Sequence, residues 1–174
     1  MKIVHTVLAA VLALVLLVGL AAAKPPFWDD QLNNPKRFKV LKEFGGAAVF
    51  DKETGLVWER SPDSDQDPDD RKTWGDAGSY CNNRAVGGRR GWRLPTNQEL
   101  ASLLDSTQSS PALPPGHPFA NVQSSKYWSA TTDADDPGEA FRVSIDDGQV
   151  DRGNKVNDNH FAWCVRGGQG ADAQ

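Results

Sequence analysis

Residues 91–100, GWRLPTNQEL, carry the sharpest local signal in the chain. Thr96 and Glu99 stand three positions apart, which is the spacing of a capping box at the start of a helix. Leucines follow at positions 100, 103 and 104, so that they share one helical face. The stretch therefore predicts a short amphipathic helix that begins at Thr96, ends near Asp105 and buries Trp92.

A second helix is predicted upstream of this stretch. Thr73 is suited to cap its N-terminus, and Asp76 lies three positions later, where a carboxylate favours both the cap and the helix dipole. Trp74, Ala77 and Cys81 then fall on one face of the helix. We expect this face to pack against the core.

Strand patterns occupy both ends of the chain, on either side of the helices. The polar segment 51–55, which ends in Gly, and the pair Asp147-Gly148 predict hairpin turns. Residues 61–70 and 106–122 contain prolines and are predicted as loops. Strands, two helices and further strands in this order predict an α+β fold with antiparallel sheets. The predicted strands are residues 37–41, 47–50, 56–58, 127–131, 140–145 and 161–166, together with a return strand that begins at Val150.

The N-terminus has the three parts of a secretory signal peptide. Lys2 is the only charged residue before Lys24, and the apolar stretch 7–20 is followed by three alanines. This pattern predicts cleavage after Ala23. The alternative is a retained membrane anchor, for which the apolar run is short and lacks a following basic cluster.

The expected organisation is a signal peptide at 1–23, an irregular lead-in at 24–36, one globular domain at 37–168 and a flexible tail at 169–174. A formal net charge of −4 argues against a nucleic-acid partner. Six tryptophans and seven phenylalanines supply enough apolar surface for a core. The mature protein is expected to be secreted or periplasmic and to leave the membrane after cleavage.

The chain has two cysteines, Cys81 and Cys164. An even number of cysteines in an exported chain predicts a disulfide bond. The bond would join the first helix to the last strand. The alternative is a reactive thiol, although neither cysteine has a histidine beside it in the sequence.

An acidic loop is the candidate metal site. Carboxylate oxygens are ligands that calcium prefers. An EF-hand is excluded, because Pro68 and Trp74 stand where that loop needs Gly and Glu. The alternative is a solvated acidic loop, and no other cofactor is expected. The candidate metal ligands are Asp63, Asp65, Asp67, Asp69 and Asp70.

Arginines cluster around the glycine-rich turn that follows the first helix. Guanidinium groups suit sulfates, phosphates and carboxylates, so this cluster predicts a site for an anionic polysaccharide. The alternative is ordinary solvation, with Arg93 paired internally. The candidate ligand-binding residues are Arg84, Arg89, Arg90, Asn157 and Asp158.

Patterns of known catalytic sites are missing from the sequence. It contains no G-x-S-x-G elbow, no H-E-x-x-H motif and no zinc-type Cys/His spacing. His117 and His160 lie in predicted loops, where a lone histidine is more often hydrogen-bonded than catalytic. The apolar faces of the tryptophans are suited to stacking on sugars, but burial in the core is predicted for those inside or beside predicted elements.

Six short motifs, taken in order, resemble one known family. They are Arg37-Phe38, the segment DKETGLVWE at 51–59, WGDA at 74–77 with Tyr80-Cys81, GWRLPT at 91–96 with Glu99-Leu100, YWSAT at 127–131, and Cys164-Val165-Arg166. In this order they resemble the Lcl C-terminal domain family, named for the end of a bacterial collagen-like adhesin. The residues to which we assign an architectural role are Trp58, Trp74, Trp92, Arg93, Leu94, Pro95, Thr96, Glu99, Trp128 and Arg166.

The resemblance implies a C-type-lectin-like fold, with a disulfide between the first helix and the last strand. It also implies an exported or surface module, and some such modules bind glycosaminoglycan-like polymers. Sugar-binding C-type lectins hold calcium through Glu-Pro-Asn or Gln-Pro-Asp and Trp-Asn-Asp. None of these tripeptides occurs here, so calcium-dependent lectin activity is not expected.

The segment 92–96 also resembles the Arg-Leu-Pro-Thr stretch of formylglycine-generating enzymes. Those enzymes need a reactive cysteine pair near the C-terminal end, where this chain has Cys164 alone. We therefore predict a non-enzymatic recognition or adhesion module, with an extracytoplasmic enzyme as the alternative. Its binding residues are expected in the loops 63–70, 106–122 and 151–160, with an anionic polysaccharide or a cell-envelope protein as partner.

Overall fold

The computed structural model describes residues 37–62 and 70–168. Within them the chain forms two antiparallel sheets, two α-helices and one disulfide bond, which confirms the predicted α+β class. Short 3-10 helices follow the first strand, at Lys42–Phe44, and the first helix, at Val86–Gly88. The remaining elements are β1 (Phe38–Leu41), β2 (Ala48–Asp51), β3 (Val57–Glu59), α1 (Trp74–Asn83), α2 (Asn97–Ala101), β4 (Lys126–Thr132), β5 (Glu139–Ser144), β6 (Val150–Asn154) and β7 (Val165–Arg166).

The first sheet has the strand order β1-β2-β3-β7. Gly55 closes the predicted turn between β2 and β3 at φ 72°, and its N–H donates to the carbonyl of Asp51 at 2.9 Å. This register places Val49 opposite Trp58, and neither side chain is exposed. The alternating pattern therefore puts one face of the sheet in the core.

The second sheet has the order β4-β5-β6, and every neighbouring pair is antiparallel. Gly148 forms the predicted turn between β5 and β6, with φ 79° and an N–H bond to the Ser144 carbonyl at 2.9 Å. Residues 151–154 belong to β6, so the predicted loop at 151–160 is wrong over its first part. Pairing with β5 satisfies the backbone of these residues.

The closing segment 160–165 joins the two sheets. The prediction of one strand over 161–166 is wrong, because only Val165–Arg166 forms β7 and Cys164 precedes it. The Phe161 carbonyl accepts from Trp128 N in the second sheet at 2.9 Å, whereas the Cys164 carbonyl accepts from Glu59 N in the first at 3.0 Å. A segment that divides its hydrogen bonds in this way cannot continue a regular ladder with either sheet.

The disulfide links α1 to the closing segment, as predicted. Thr73 caps α1, its hydroxyl accepting from Asp76 N at 3.3 Å and donating to the Asp76 carboxylate at 2.7 Å. The Cys81 and Cys164 Cα atoms are 5.4 Å apart, and neither residue is exposed. Helix α1 is therefore covalently attached to the segment that bridges the sheets.

Helix α2 is shorter than predicted. Thr96 and Glu99 form the full capping box, but the helix ends at Ala101 instead of near Asp105. Leu103 N and Leu104 N donate to carbonyls three residues back, at 3.2 and 3.0 Å. The last turn is thus tightened to the 3-10 pattern that is common at helix ends.

Four of the tryptophans that were predicted to be buried lie in the core: Trp58, Trp92, Trp128 and Trp163, each at most 2% exposed. Trp74 is half-buried and packs against the cluster that contains the disulfide. The apolar patterns therefore predicted most of the core.

A buried ion pair joins the residue before β1 to the last residue of β2. The Arg37 guanidinium donates from Nε and Nη2 to the two carboxylate oxygens of Asp51, at 2.8 and 2.7 Å. Arg37 is 3% exposed and Asp51 is not exposed. Arg37 Nη2 also donates to the Ser102 carbonyl at 2.8 Å, so the pair anchors the chain just after α2.

Several predictions concern residues outside the described ranges. These are the signal peptide at 1–23, the lead-in at 24–36, Asp63 to Asp69 of the acidic loop, and the tail at 169–174. The expected domain boundaries stay predictions. No helix in residues 37–62 and 70–168 combines the length and apolar character that a membrane span requires.

Candidate functional site

The arginine cluster lies directly after α1, and the structure divides it into two kinds of residue. Arg84 forms an ion pair with Glu59, whose side chain is only 2% exposed, and its guanidinium lies 4.9 Å from the centre of the Tyr80 ring. Arg93 donates from Nη1 and Nη2 to the two oxygens of Glu99, at 2.8 and 2.7 Å. Both guanidinium groups are therefore engaged inside the domain.

The Arg93–Glu99 pair supports the motif that was predicted to be architectural. Partial burial raises the pKa of Glu99, but the hydrogen bonds and charge of Arg93, with the N–H of Thr96, outweigh it and hold the pKa below its ordinary value. Arg93 Nη2 also donates to the Gly167 carbonyl at 2.7 Å. The pair thus joins the start of α2 to the end of the closing segment.

Arg89 and Arg90 are exposed, in contrast to the other two arginines. Two side chains hold their backbone by hydrogen bonds. Trp92 Nε1 donates to the Arg89 carbonyl at 2.7 Å, and Arg166 Nε donates to the Arg90 carbonyl at 2.9 Å. Arg166 therefore adds a third cation beside them. We call Arg89, Arg90 and Arg166 the basic surface.

The turn that leads to the basic surface requires glycine at position 87. Gly87 has φ +58°, and a Cβ there would lie 2.5 Å from the carbonyl oxygen of Phe44. The turn consequently packs directly on the 3-10 helix Lys42–Phe44. The Arg89 guanidinium lies 5.4 Å from the centre of the Phe44 ring, within the range of a cation–π contact.

The other two candidate ligand-binding residues lie after β6, in a different part of the fold. Asn157 is exposed. The Asp158 carboxylate accepts from Asn154 N at 3.0 Å and from Arg142 Nη1 at 3.1 Å. No hydrogen bond or ion pair between described residues joins Asn157 or Asp158 to the arginine cluster, so the structure does not bring the candidates together.

Of the acidic loop only Asp70 is described, and its carboxylate pairs with Lys72. The described ranges contain no group of three or more His, Cys, Asp or Glu side chains that would hold a metal ion. The calcium hypothesis depends on residues outside these ranges and stays a prediction.

His160 lies in a charged cluster that sequence reasoning did not identify. Its Nε2 contacts Nη1 of Arg142, and its ring lies 4.7 Å from the Trp128 ring, centre to centre. Burial lowers the pKa of His160 to about 4; the charges of Arg142 and Lys126 act in the same direction, while those of Asp158 and Asp151 oppose them. In the folded protein His160 is therefore neutral at pH 7.

Acidification from about pH 7.5 to about pH 5 is expected to destabilise the domain through His160. The unfolded chain binds a proton near the ordinary pKa of 6.5, whereas the folded chain does so only near 4. The stability that neutral His160 contributes is therefore fully present above pH 6.5 and is lost as the pH falls toward 4. Because the site is partly solvated, we expect a loss of about 1 kcal/mol, measured by urea unfolding at the two pH values.

The matched variant is His160→Gln, which cannot titrate. Its free energy of unfolding should fall by about 1 kcal/mol less than that of the wild type over the same pH interval. His117, whose pKa burial also lowers, is retained in both proteins and cancels in the comparison. Equal losses in the two proteins would contradict the assignment to His160.

A cleft of about 940 Å³ lies between α1 and α2. Its α1 wall is formed by Trp74, Gly75, Gly78, Ser79 and Asn82. The opposite wall includes Gln98 and Glu99 of α2, and Arg93 and Leu94 lie before that helix. We call this feature the interhelical cleft; no sequence pattern pointed to it.

The geometry defines a small α+β domain, closed by a disulfide, that presents a fixed basic surface and a separate cleft. The family model of the Lcl C-terminal domain matches residues 47–166. The chain therefore belongs to the Lcl C-terminal domain family, which suggests an extracellular module of the recognition or adhesion type. Comparison with curated proteins finds no match to this chain.

The signals that sequence reasoning missed are contacts between distant residues. The pairing of Arg84 with Glu59 spans 25 positions, and the contact of His160 with Arg142 spans 18. The Trp92 bond to the Arg89 carbonyl spans only three, yet it depends on the direction of a buried indole. Local motif spacing does not carry this information.

Proposed function

We propose that this protein is an exported, non-enzymatic recognition module with a C-type-lectin-like fold that binds anionic glycans through the basic surface. The observation that carries the proposal is the separation of the arginines. Arg84 and Arg93 are paired internally, whereas Arg89 and Arg90 are exposed on a backbone that Trp92 and Arg166 hold in place.

The fold assignment rests on the arrangement that the family resemblance implies. Two helices lie between β3 and β4 in the chain order, the last strand returns to the first sheet, and a disulfide joins the first helix to the segment before that strand. The disulfide also supports export, because such bonds persist in oxidising compartments.

The chemistry of the basic surface suits sulfate and carboxylate groups. Guanidinium groups donate in a fork that matches the oxygens of both anions. The net charge of −4 does not prevent binding, since charges beyond a Debye length of about 8 Å are largely screened at physiological salt. A fixed backbone also reduces the entropy that is lost when a ligand orders the loop.

The disulfide supports a non-enzymatic function over the formylglycine-generating alternative. The chain has two cysteines, and both are consumed in the bond between α1 and the closing segment. A reactive cysteine pair near the C-terminal end would require a free thiol there.

Arg89→Ala/Arg90→Ala is expected to elute from a heparin column at a clearly lower salt concentration than the wild type. Each arginine that pairs with a sulfate contributes to affinity and to its salt dependence, so loss of two should weaken binding about tenfold at low salt. The measurement is the salt concentration at elution, supported by titration with a heparin oligosaccharide.

The control is Lys39→Ala/Lys52→Ala, which removes the same charge from exposed positions of other elements. It should elute close to the wild type. Co-elution of all three proteins would refute the proposed surface. Arg84→Ala is unsuitable for this test, because it would break an ion pair with the buried Glu59 carboxylate and destabilise the domain.

A further inference from the structure

We infer that the interhelical cleft binds an uncharged oligosaccharide, at a site separate from the basic surface. Its volume, about 940 Å³, is within the range of small-ligand sites. The inference does not depend on anionic glycan binding, because the basic surface contributes no residue to the cleft.

The charges in the cleft cancel, which disfavours an ionic ligand. Among the described residues that line it, Arg93 and Glu99 are the only charged side chains. Nη1 and Nη2 of Arg93 donate to both oxygens of Glu99 and to the carbonyls of Leu94 and Gly167. An anion or a cation would have to break this network to find a counter-charge.

Neutral hydrogen-bonding groups on facing helices remain available to a ligand. Ser79 and Asn82 lie on α1 and Gln98 lies on α2; all three are exposed. None of these side chains is hydrogen-bonded to another residue in the described ranges. Hydroxyl and amide groups pair well with the hydroxyls of a sugar, and Trp74 and Leu94 supply apolar surface for its C–H faces.

Two residues of the α1 wall, Gly75 and Gly78, have no side chain. A Cβ at Gly75 or Gly78 would meet nothing within 4 Å, so packing does not require glycine at either position. Glycine within a helix costs about 1 kcal/mol relative to alanine. Packing therefore does not explain the glycine at position 78, and its lack of a side chain leaves room for a ligand on the wall opposite Gln98.

The test is a two-dimensional ¹H–¹⁵N NMR titration with triacetylchitotriose, cellotriose and maltotriose at concentrations up to about 10 mM, since a small neutral ligand is expected to bind near 1 mM. At least one sugar should shift the Trp74 Nε1–H and Gly78 N–H signals in a saturable manner. Gly78→Phe should weaken this binding about tenfold by filling the cleft, whereas Gly78→Ala should retain it.

Asn82→Ala provides a second variant, since it removes an exposed amide without filling space and should weaken binding several-fold. Absence of saturable shifts with all three sugars overturns the inference. Equal affinity in the wild type, Gly78→Phe and Asn82→Ala overturns it as well, as do shifts confined to the Arg89 and Arg90 signals. A heparin oligosaccharide tests the basic surface separately and should leave the Trp74 signal unchanged.

Discussion

Replacing both cysteines with alanine is expected to lower the free energy of unfolding by about 4 kcal/mol. The bond closes a loop of 83 positions, and its loss allows the unfolded chain many more conformations. Alanine is the appropriate replacement, because Cys81 and Cys164 are both inaccessible to solvent and a serine would also bury a hydroxyl. The measurement is urea unfolding followed by tryptophan fluorescence.

The wild type treated with a reductant is the matched control for this prediction. Reduction opens the same bond without altering the sequence, so reduced wild type and Cys81→Ala/Cys164→Ala should unfold at similar urea concentrations. Cys81→Ser should be at least as unstable as the double alanine variant. A double variant within about 1 kcal/mol of the oxidised wild type would show that the bond contributes little to stability.

Asp51→Ala is expected to cost about 3–5 kcal/mol, because it leaves the Arg37 guanidinium buried without its main counter-ion. The lost carboxylate also accepts hydrogen bonds from Glu53 N at 3.1 Å and Thr54 Oγ1 at 2.8 Å. Glu53 Oε2 lies 3.1 Å from Arg37 Nε and will offset part of the loss. The free energy of unfolding again provides the measurement.

Lys126→Met supplies the contrast, since it breaks an ion pair in which both side chains are about 40% exposed. Its cost should stay below about 1 kcal/mol. Breaking the buried pair should therefore cost several times more unfolding free energy than breaking the exposed pair. Similar costs for Asp51→Ala and Lys126→Met would contradict the role given to burial.

The sequence predicted the elements whose signals are local. The capping box of Thr96 and Glu99, the cap at Thr73 and the turn at Gly148 each depend on residues within a few positions, and the structure contains all three. The predicted final strand is too long, because residues 160–165 form hydrogen bonds with both sheets. A one-dimensional apolar pattern does not show that a segment divides its hydrogen bonds.

The sequence predicted which residues cluster at the candidate site, but not which of them are exposed. The clustering of arginines is visible in the sequence, but which of them are exposed depends on where Glu59 and Glu99 lie after folding. The interhelical cleft is a product of packing, since its walls come from α1, from α2 with the residues on either side of it, from the turn between β2 and β3, from β4 and from Gly168. Such a site has no linear motif.

The placement of the closing segment sets the timing of folding during biosynthesis. Residues 160–165 stand near the end of the described chain, yet they supply hydrogen bonds to β3 and β4 alike and carry one sulfur of the cross-link. Until the ribosome has released them, neither sheet has its full set of partners. Both sheets therefore become complete only after nearly all of the described residues have been synthesised, and the cross-link that joins α1 to them forms only where an oxidant is present.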